Sequence, residues 1–240
     1  VSAALEVTGL TAGYGETTIL DDVSMTVARG ECVSIVGRNG VGKTTLLETL
    51  GGHTTVRSGR IALGGRELGT MPPNRRAGLG LGYVPQEREI FPSLTVLENL
   101  TVCARPGKWG LEQVTGLFPS LRPRLANLGN QLSGGEQQML SIARALMTNP
   151  HVLMMDEPSE GLAPVVVDQL FDAMSLLRDD DEMSILLVEQ KVDRALQFSA
   201  RTIVMDRGRI LFDGLSARLA SDAALLESLI GVGRTERPAS

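Results

Sequence analysis

The feature that most constrains this chain is the octapeptide Gly37-Arg38-Asn39-Gly40-Val41-Gly42-Lys43-Thr44, which follows the apolar run Cys32–Val36 and precedes a helical stretch at Lys43–Leu50. A strand, a glycine-rich turn and a helix in that order fit the phosphate-loop pattern. Glycines let the backbone wrap so that N–H groups point inward at a phosphate, and the helix adds its positive end. In this reading Lys43 reaches the outer phosphates, Thr44 holds Mg²⁺ and Thr45 follows it within the same cradle. The plain alternative, a glycine-rich strand–helix turn, accounts for the shape but not for Lys43 and Thr44 at its end. The pattern points to a nucleoside triphosphate and is silent on the chemistry that follows.

A second constellation completes the site. The run Val152-Leu153-Met154-Met155-Asp156-Glu157 is an apolar strand delivering two adjacent carboxylates at its C-terminal end, which is where ligands sit in open parallel sheets. Asp156 is suited to hold Mg²⁺ and Glu157 to accept a proton from an attacking water. Alone, the pair is also an ordinary acidic strand end before Pro158.

The third is Leu132-Ser133-Gly134-Gly135-Glu136-Gln137-Gln138. Ser133 and Glu136 make a capping box, so a plain helix start is one reading. Two glycines in the first turn cost about 1 kcal/mol each against alanine. Bare backbone at a helix N-terminus is what an anion site requires, so Ser133, Gly134 and Gly135 read as phosphate contacts.

The rest of the chain predicts one α/β unit. Strand patterns fall at Leu5–Leu10, Val23–Val27, Arg60–Leu63 (closed by Gly64-Gly65) and Gly82–Val84. From Gln86 to Asn149 the pattern turns helical, best at Thr95–Val102, Leu111–Phe118 and Ser133–Met147. A strand at His151–Met155, a helix at Pro164–Arg178, a strand at Ser184–Val188 and a helix at Val192–Phe198 then alternate, which predicts a parallel, helix-covered sheet. Thr202–Met205 and Arg209–Phe212 read as a hairpin, and a short helical piece ends near Ile230. The expected organisation is a single domain over 1–230, with a core at 1–85 and 150–230, a helical subdomain at 86–149 and a frayed tail at 231–240.

Bulk properties exclude several classes. A formal charge of −5 argues against a broad basic face for nucleic acid. Cys32 and Cys103 form no disulfide framework or metal pattern, which predicts a reducing compartment. No apolar run reaches the length of a spanning helix, and residues 1–30 lack the basic-then-apolar pattern of a leader, so the chain is expected to be cytosolic.

The phosphate loop, then Leu132–Gln138, then Met155–Pro158, in that order, resembles the ATP-binding subunits of ABC transporters. The resemblance runs from Leu5 to Ile230, and the Leu-Ser-Gly-Gly-Glu-Gln run is specific to that family. It implies a P-loop NTPase core of the ABC ATPase type, with an N-terminal antiparallel β region and an inserted helical subdomain. It also implies a head-to-tail dimer, each ATP lying between one subunit's phosphate loop and the other's signature helix. Tyr14, in Gly13-Tyr14-Gly15, matches the aromatic that stacks on adenine; a tyrosine in a turn is the plain alternative. Gln86, after Tyr83-Val84-Pro85, matches the glutamine that contacts Mg²⁺ and the attacking water.

Two positions depart from the common pattern. Gln190 stands where a histidine usually contacts the γ-phosphate, and Ala163 where the loop after Glu157 usually ends in Asp. A glutamine amide can still donate that hydrogen bond but carries no charge. With Gly161-Leu162-Ala163-Pro164 and Leu187-Val188-Glu189-Gln190, these departures resemble the ATPases of branched-chain amino acid importers. Arg88-Glu89-Ile90-Phe91-Pro92 also resembles the corresponding subunit of urea and short-chain amide importers. The implied partners are two transmembrane permease subunits, a second related ATPase or a second copy of this chain, and an external substrate-binding protein. The implied location is the inner face of the cell membrane. Phe91, Leu94 and Leu97 line a groove for a permease loop in one reading and pack within the helical lobe in the other. An iron–sulfur assembly ATPase is the nearest reading without transport.

Overall fold

The computed structural model describes residues 3–178 and 182–231. Glycine-rich turns and alternating apolar positions build two sheets. In chain order the elements are β1 (Ala3–Tyr14), β2 (Thr17–Ala28), β3 (Cys32–Val36), α1 (Lys43–Gly51), β4 (Thr55–Leu63), β5 (Arg66–Glu67), α2 (Pro73–Gly78) and β6 (Leu81–Val84). The helices α3 (Val96–Thr101), α4 (Leu111–Leu117) and α5 (Gly134–Leu146) follow, with 3₁₀ turns at Pro119–Arg124 and Gly129–Gln131. The chain then runs through β7 (Val152–Asp156), α6 (Pro164–Arg178), β8 (Ser184–Val188), α7 (Val192–Phe198), β9 (Arg201–Asp206), β10 (Arg209–Leu215), α8 (Ser216–Ser221) and α9 (Ala223–Ile230).

The six-stranded sheet has the order β10-β9-β3-β8-β7-β6. All neighbours pair in parallel except β10, which returns antiparallel along β9 as the expected hairpin. Strands β3, β7 and β8 are buried at every position, as a sheet covered on both faces requires. Their period of two splits the core. Val152, Met154, Leu186 and Val188 face one cluster, shared with α1 and with β1 and β2. Leu153, Met155, Ile185 and Leu187 face the other, shared with α5 and α6.

The second sheet, β2-β1-β4-β5, is antiparallel and covers α1. Here the structure extends the sequence reading. The two short strands expected near the start are twelve residues each, closed at Gly15-Glu16 as one hairpin with Tyr14 at its tip. Helix α2 was not among the expected elements; its Pro73 occupies the first turn, where the missing N–H costs nothing. Arg76 of α2 is buried, and its guanidinium donates to the carbonyls of Thr49, Leu50, Met71 and Gly69. It thereby satisfies the open carbonyls at the end of α1. Apart from Gly231, the expected tail lies outside the described residues.

Candidate functional site

The phosphate loop connects β3 to α1 at the C-terminal edge of the parallel sheet. Gly40 and Gly42 have φ of 77° and 108°, a region open to glycine, and Gly42 caps α1. At Gly37 a Cβ would come within 2.3 Å of the Met205 carbonyl oxygen, so β9, running parallel beside β3, closes against the start of the turn. Asn39, Gly40, Gly42, Lys43, Thr44 and Thr45 line one cavity of about 400 Å³ together with Gln86, Glu157, Glu160 and Ile19. The structure thus brings the loop and the strand-end carboxylate into one pocket.

Lys43 is buried and its ammonium is fully engaged. It donates to the carbonyls of Gly37 (3.0 Å) and Arg38 (3.1 Å) and lies 3.3 Å from Glu157 Oε1. Glu157 itself holds a left-handed backbone (φ 44°), with its N–H bonded to the Val188 carbonyl at 2.9 Å. That conformation costs about 1–3 kcal/mol for a non-glycine residue, and the bond to β8 fixes it. Asp156, one residue earlier, is completely buried, and neither carboxylate oxygen has a hydrogen bond of normal geometry. Burial pushes its pKa up to about 6, the Thr44 hydroxyl pulling it down only in part and the neighbouring Glu157 adding to the rise. A buried carboxylate with open lone pairs beside a threonine hydroxyl is a hard-oxygen donor set. The residues present therefore fit a magnesium ion, with Thr44, Asp156 and Gln86 as candidate ligands.

Gln86 lines the pocket, whereas Gln190 does not and meets it only through Asn39. Gln86 donates to the carboxylate of Glu160, and Gln190 donates from Nε2 to Asn39 Oδ1 at 2.8 Å. Tyr14, half-exposed at the β1–β2 tip, donates its hydroxyl to Glu48 on α1. Burial and the Glu48 carboxylate both raise its pKa. Two pocket residues were not anticipated from sequence: Glu160, whose contact with Gln86 spans 74 positions, and Ile19 on β2. Nothing local in sequence announces either.

Ser133, Gly134 and Gly135 do not line that pocket. They open α5, where Ser133 Oγ accepts from the Glu136 N–H (3.3 Å) and Glu136 accepts from the Ser133 N–H (2.8 Å), so the capping box is formed. The glycines also have packing reasons. A Cβ at Gly135 would meet Val166 Cγ1 at 2.5 Å, and one at Gly134 would meet the Arg88 guanidinium at 3.2 Å. Unfavourable helix propensity here therefore has a steric cause in addition to any ligand.

The family model described as ABC transporter matches residues 20–160, more than half of the chain. The chain belongs to the ABC transporter family. Among curated relatives, this ABC ATPase is 39% identical over 228 residues to a probable branched-chain amino acid transport ATP-binding protein LivF of Archaeoglobus fulgidus, covering 93% of this chain and 97% of that protein. It is 38% identical to the high-affinity branched-chain amino acid transport ATP-binding protein BraG of Pseudomonas aeruginosa, covering 91% and 95%. A nucleotide-free ATP-binding cassette from an ABC transporter superposes with a TM-score of 0.80 at 26% identity, over 96% of this chain and 100% of that one. Among the described residues, no helix of this ATPase is long and apolar enough to cross a membrane.

Proposed function

We propose that this ATPase is the energy-coupling subunit of an importer for branched-chain amino acids or closely related amino acids and amides. The observation that carries the substrate class is the likeness to the LivF and BraG proteins at 39% and 38%, against 32% for a thiamine import protein of Escherichia coli. The urea and amide reading rests on the same group of motifs and is separated from it only by experiment.

The chemistry follows from the residues already placed. Lys43 and the loop N–H groups bind the outer phosphates of ATP. Glu157 takes a proton from the attacking water as the oxygen–phosphorus bond forms in line and ADP leaves. A magnesium ion held by Thr44, Asp156 and Gln86 would neutralise phosphate charge. Gln190 donates a hydrogen bond to the γ-phosphate, and Tyr14 packs on the adenine. Because Ser133–Gly135 stand outside the pocket, they serve the nucleotide of a partner subunit in a head-to-tail dimer.

Residues 86–149 form the arm that meets the permease subunits. The loop after Gln86 is clamped to α5, with Ser141 Oγ donating to the Arg88 carbonyl (2.7 Å) and Arg144 to the Glu89 carbonyl (2.7 Å). Phe91 and Leu97 are exposed beside it. A cleft of about 300 Å³ between the end of α1 and α5, lined by His53, Tyr83, Cys103 and Arg144, adjoins the clamp. The partners are two permeases at the inner membrane face, a second ATPase and, indirectly, an external binding protein. Uptake of labelled leucine, valine, urea and acetamide in cells lacking this chain tests the reading. Loss of leucine and valine uptake is expected; loss of urea or acetamide uptake alone reassigns the substrate, and unchanged uptake of all four defeats the importer.

A further inference from the structure

The pocket holds a second glutamate that the chemistry described so far does not use. Strands β6 and β7 run parallel with Val84 opposite Met155, so Gln86 and Glu157 leave the sheet side by side, each two residues beyond that pair. Glu157 opens a tight turn, closed by the Glu160 N–H donating to the Glu157 carbonyl at 3.0 Å, with Gly161 following at φ 67°. The turn brings Glu160 back to the neighbouring strand end, where its carboxylate accepts from Gln86 Nε2. Both side chains line the phosphate-loop cavity with Lys43, Thr44 and Glu157.

Neither stability nor phosphate binding accounts for this acid. Gln86 and Glu160 are exposed, and a hydrogen bond there adds little to stability because water competes for both partners. A carboxylate beside a phosphate cradle also repels the phosphates it faces. What the contact does fix is the direction of an amide. Glutamine can present either its oxygen or its NH₂ group, and the two ends are nearly alike in shape. A carboxylate only accepts, so Glu160 takes the NH₂ end of Gln86 and leaves Oε1 as the group offered to a cation. Magnesium takes oxygen ligands, so only that end serves it. Partners that orient a metal ligand typically govern metal affinity about 10- to 100-fold.

We propose that Glu160 is a positioning residue that orients the Gln86 amide, so that its oxygen is the end available to magnesium. The Glu157–Glu160 turn then carries two linked tasks, the proton acceptor at its first residue and the orienting acid at its fourth. The inference rests on Gln86 serving as a magnesium ligand, as proposed above.

Calorimetric titration of the full chain with a non-hydrolysable ATP analogue, once with magnesium and once with a chelator, gives the gain in affinity that the metal supplies. Glu160→Ala should cut that gain about tenfold without lowering the metal-free affinity or the Tm. In a Gln86→Ala background Glu160→Ala should cut it no further, since no amide is left to orient. A full metal-dependent gain in folded Glu160→Ala overturns the proposal, and so does an equal fall in metal-free affinity, which would place the loss in the nucleotide site. An equal further loss in the Gln86→Ala background also overturns it, by making Glu160 a ligand in its own right. Should Glu160→Ala not fold, Glu160→Gln replaces it. An amide donates as well as accepts and no longer dictates the flip, so a reduced gain is expected and a full one overturns the proposal. A full gain in Gln86→Ala alone is a different result: it removes Gln86 from the metal, and this inference with it, while leaving the ATPase intact.

Discussion

Glu157 pairs with the Lys43 ammonium that ATP must use, so replacing it by Gln should tighten nucleotide binding while stopping turnover. The pair lies 3.3 Å apart with both side chains more than nine-tenths buried. At an effective dielectric of about 20 the attraction is about 5 kcal/mol. Most of this is offset by the desolvation both charges have suffered, and Lys43 retains the Gly37 and Arg38 carbonyls as acceptors. A net competition of about 1 kcal/mol remains, and its removal tightens ATP binding roughly 3- to 10-fold. Loss of the proton acceptor lowers kcat about 10²–10⁴-fold. Calorimetric titration with ATP and magnesium, beside single-turnover hydrolysis of labelled ATP, measures both quantities on one preparation. Weaker binding in Glu157→Gln would refute the competition, and near-normal hydrolysis would remove Glu157 from its catalytic place.

Other outcomes follow from the same geometry. Lys43→Ala should abolish measurable ATP binding in the same titration, because the charge-assisted bonds to the phosphates go with it. Asp156→Asn should stabilise the nucleotide-free, metal-free chain at pH 7.5. A folded-state carboxyl raised from 3.8 to about 6 binds protons that the unfolded chain does not, so stability is lost as pH rises through that window. The asparagine escapes the loss, worth about 1–3 kcal/mol, and chemical denaturation at pH 4 and 7.5 should show the gain at the higher pH alone. Gly135→Ala should lower ATPase activity at least tenfold with nucleotide affinity held, since the 2.5 Å approach of Val166 forces α5 or α6 to shift. Arg201→Ala should cost about 2–4 kcal/mol in denaturant unfolding, because the guanidinium bridges Asp213, Glu31 and the Thr26 carbonyl across both sheets.

What the sequence made legible was local. The strand–loop–helix at Gly37–Thr44 and the strand delivering Asp156 and Glu157 carry their signal locally, and the strand–helix alternation from His151 to Phe198 made the parallel, helix-covered sheet legible, though not its strand order. Strands β1 and β2 were read short because bulges along their pairing break the period-two alternation that marks a strand, although Ala12 and Leu20 beyond the expected bounds are buried. Helix α2 was missed because it is six residues long and buries only the charged Arg76, so no apolar periodicity marks it. The contact of Glu160 with Gln86 was invisible because it joins loops that only the sheet topology brings together. The two signature glycines show the converse. Their sequence pattern pointed to a ligand, and the structure adds a steric cause that no propensity scale contains.

In the proposed function, ATP hydrolysis is coupled to a membrane importer. Affinity purification of the tagged chain from gently solubilised native membranes, followed by identification of the proteins retained, tests it most directly. Two membrane-spanning proteins and a second, related ATPase are expected. Recovery of soluble partners alone would contradict it and move the chain to an ATPase of cofactor assembly.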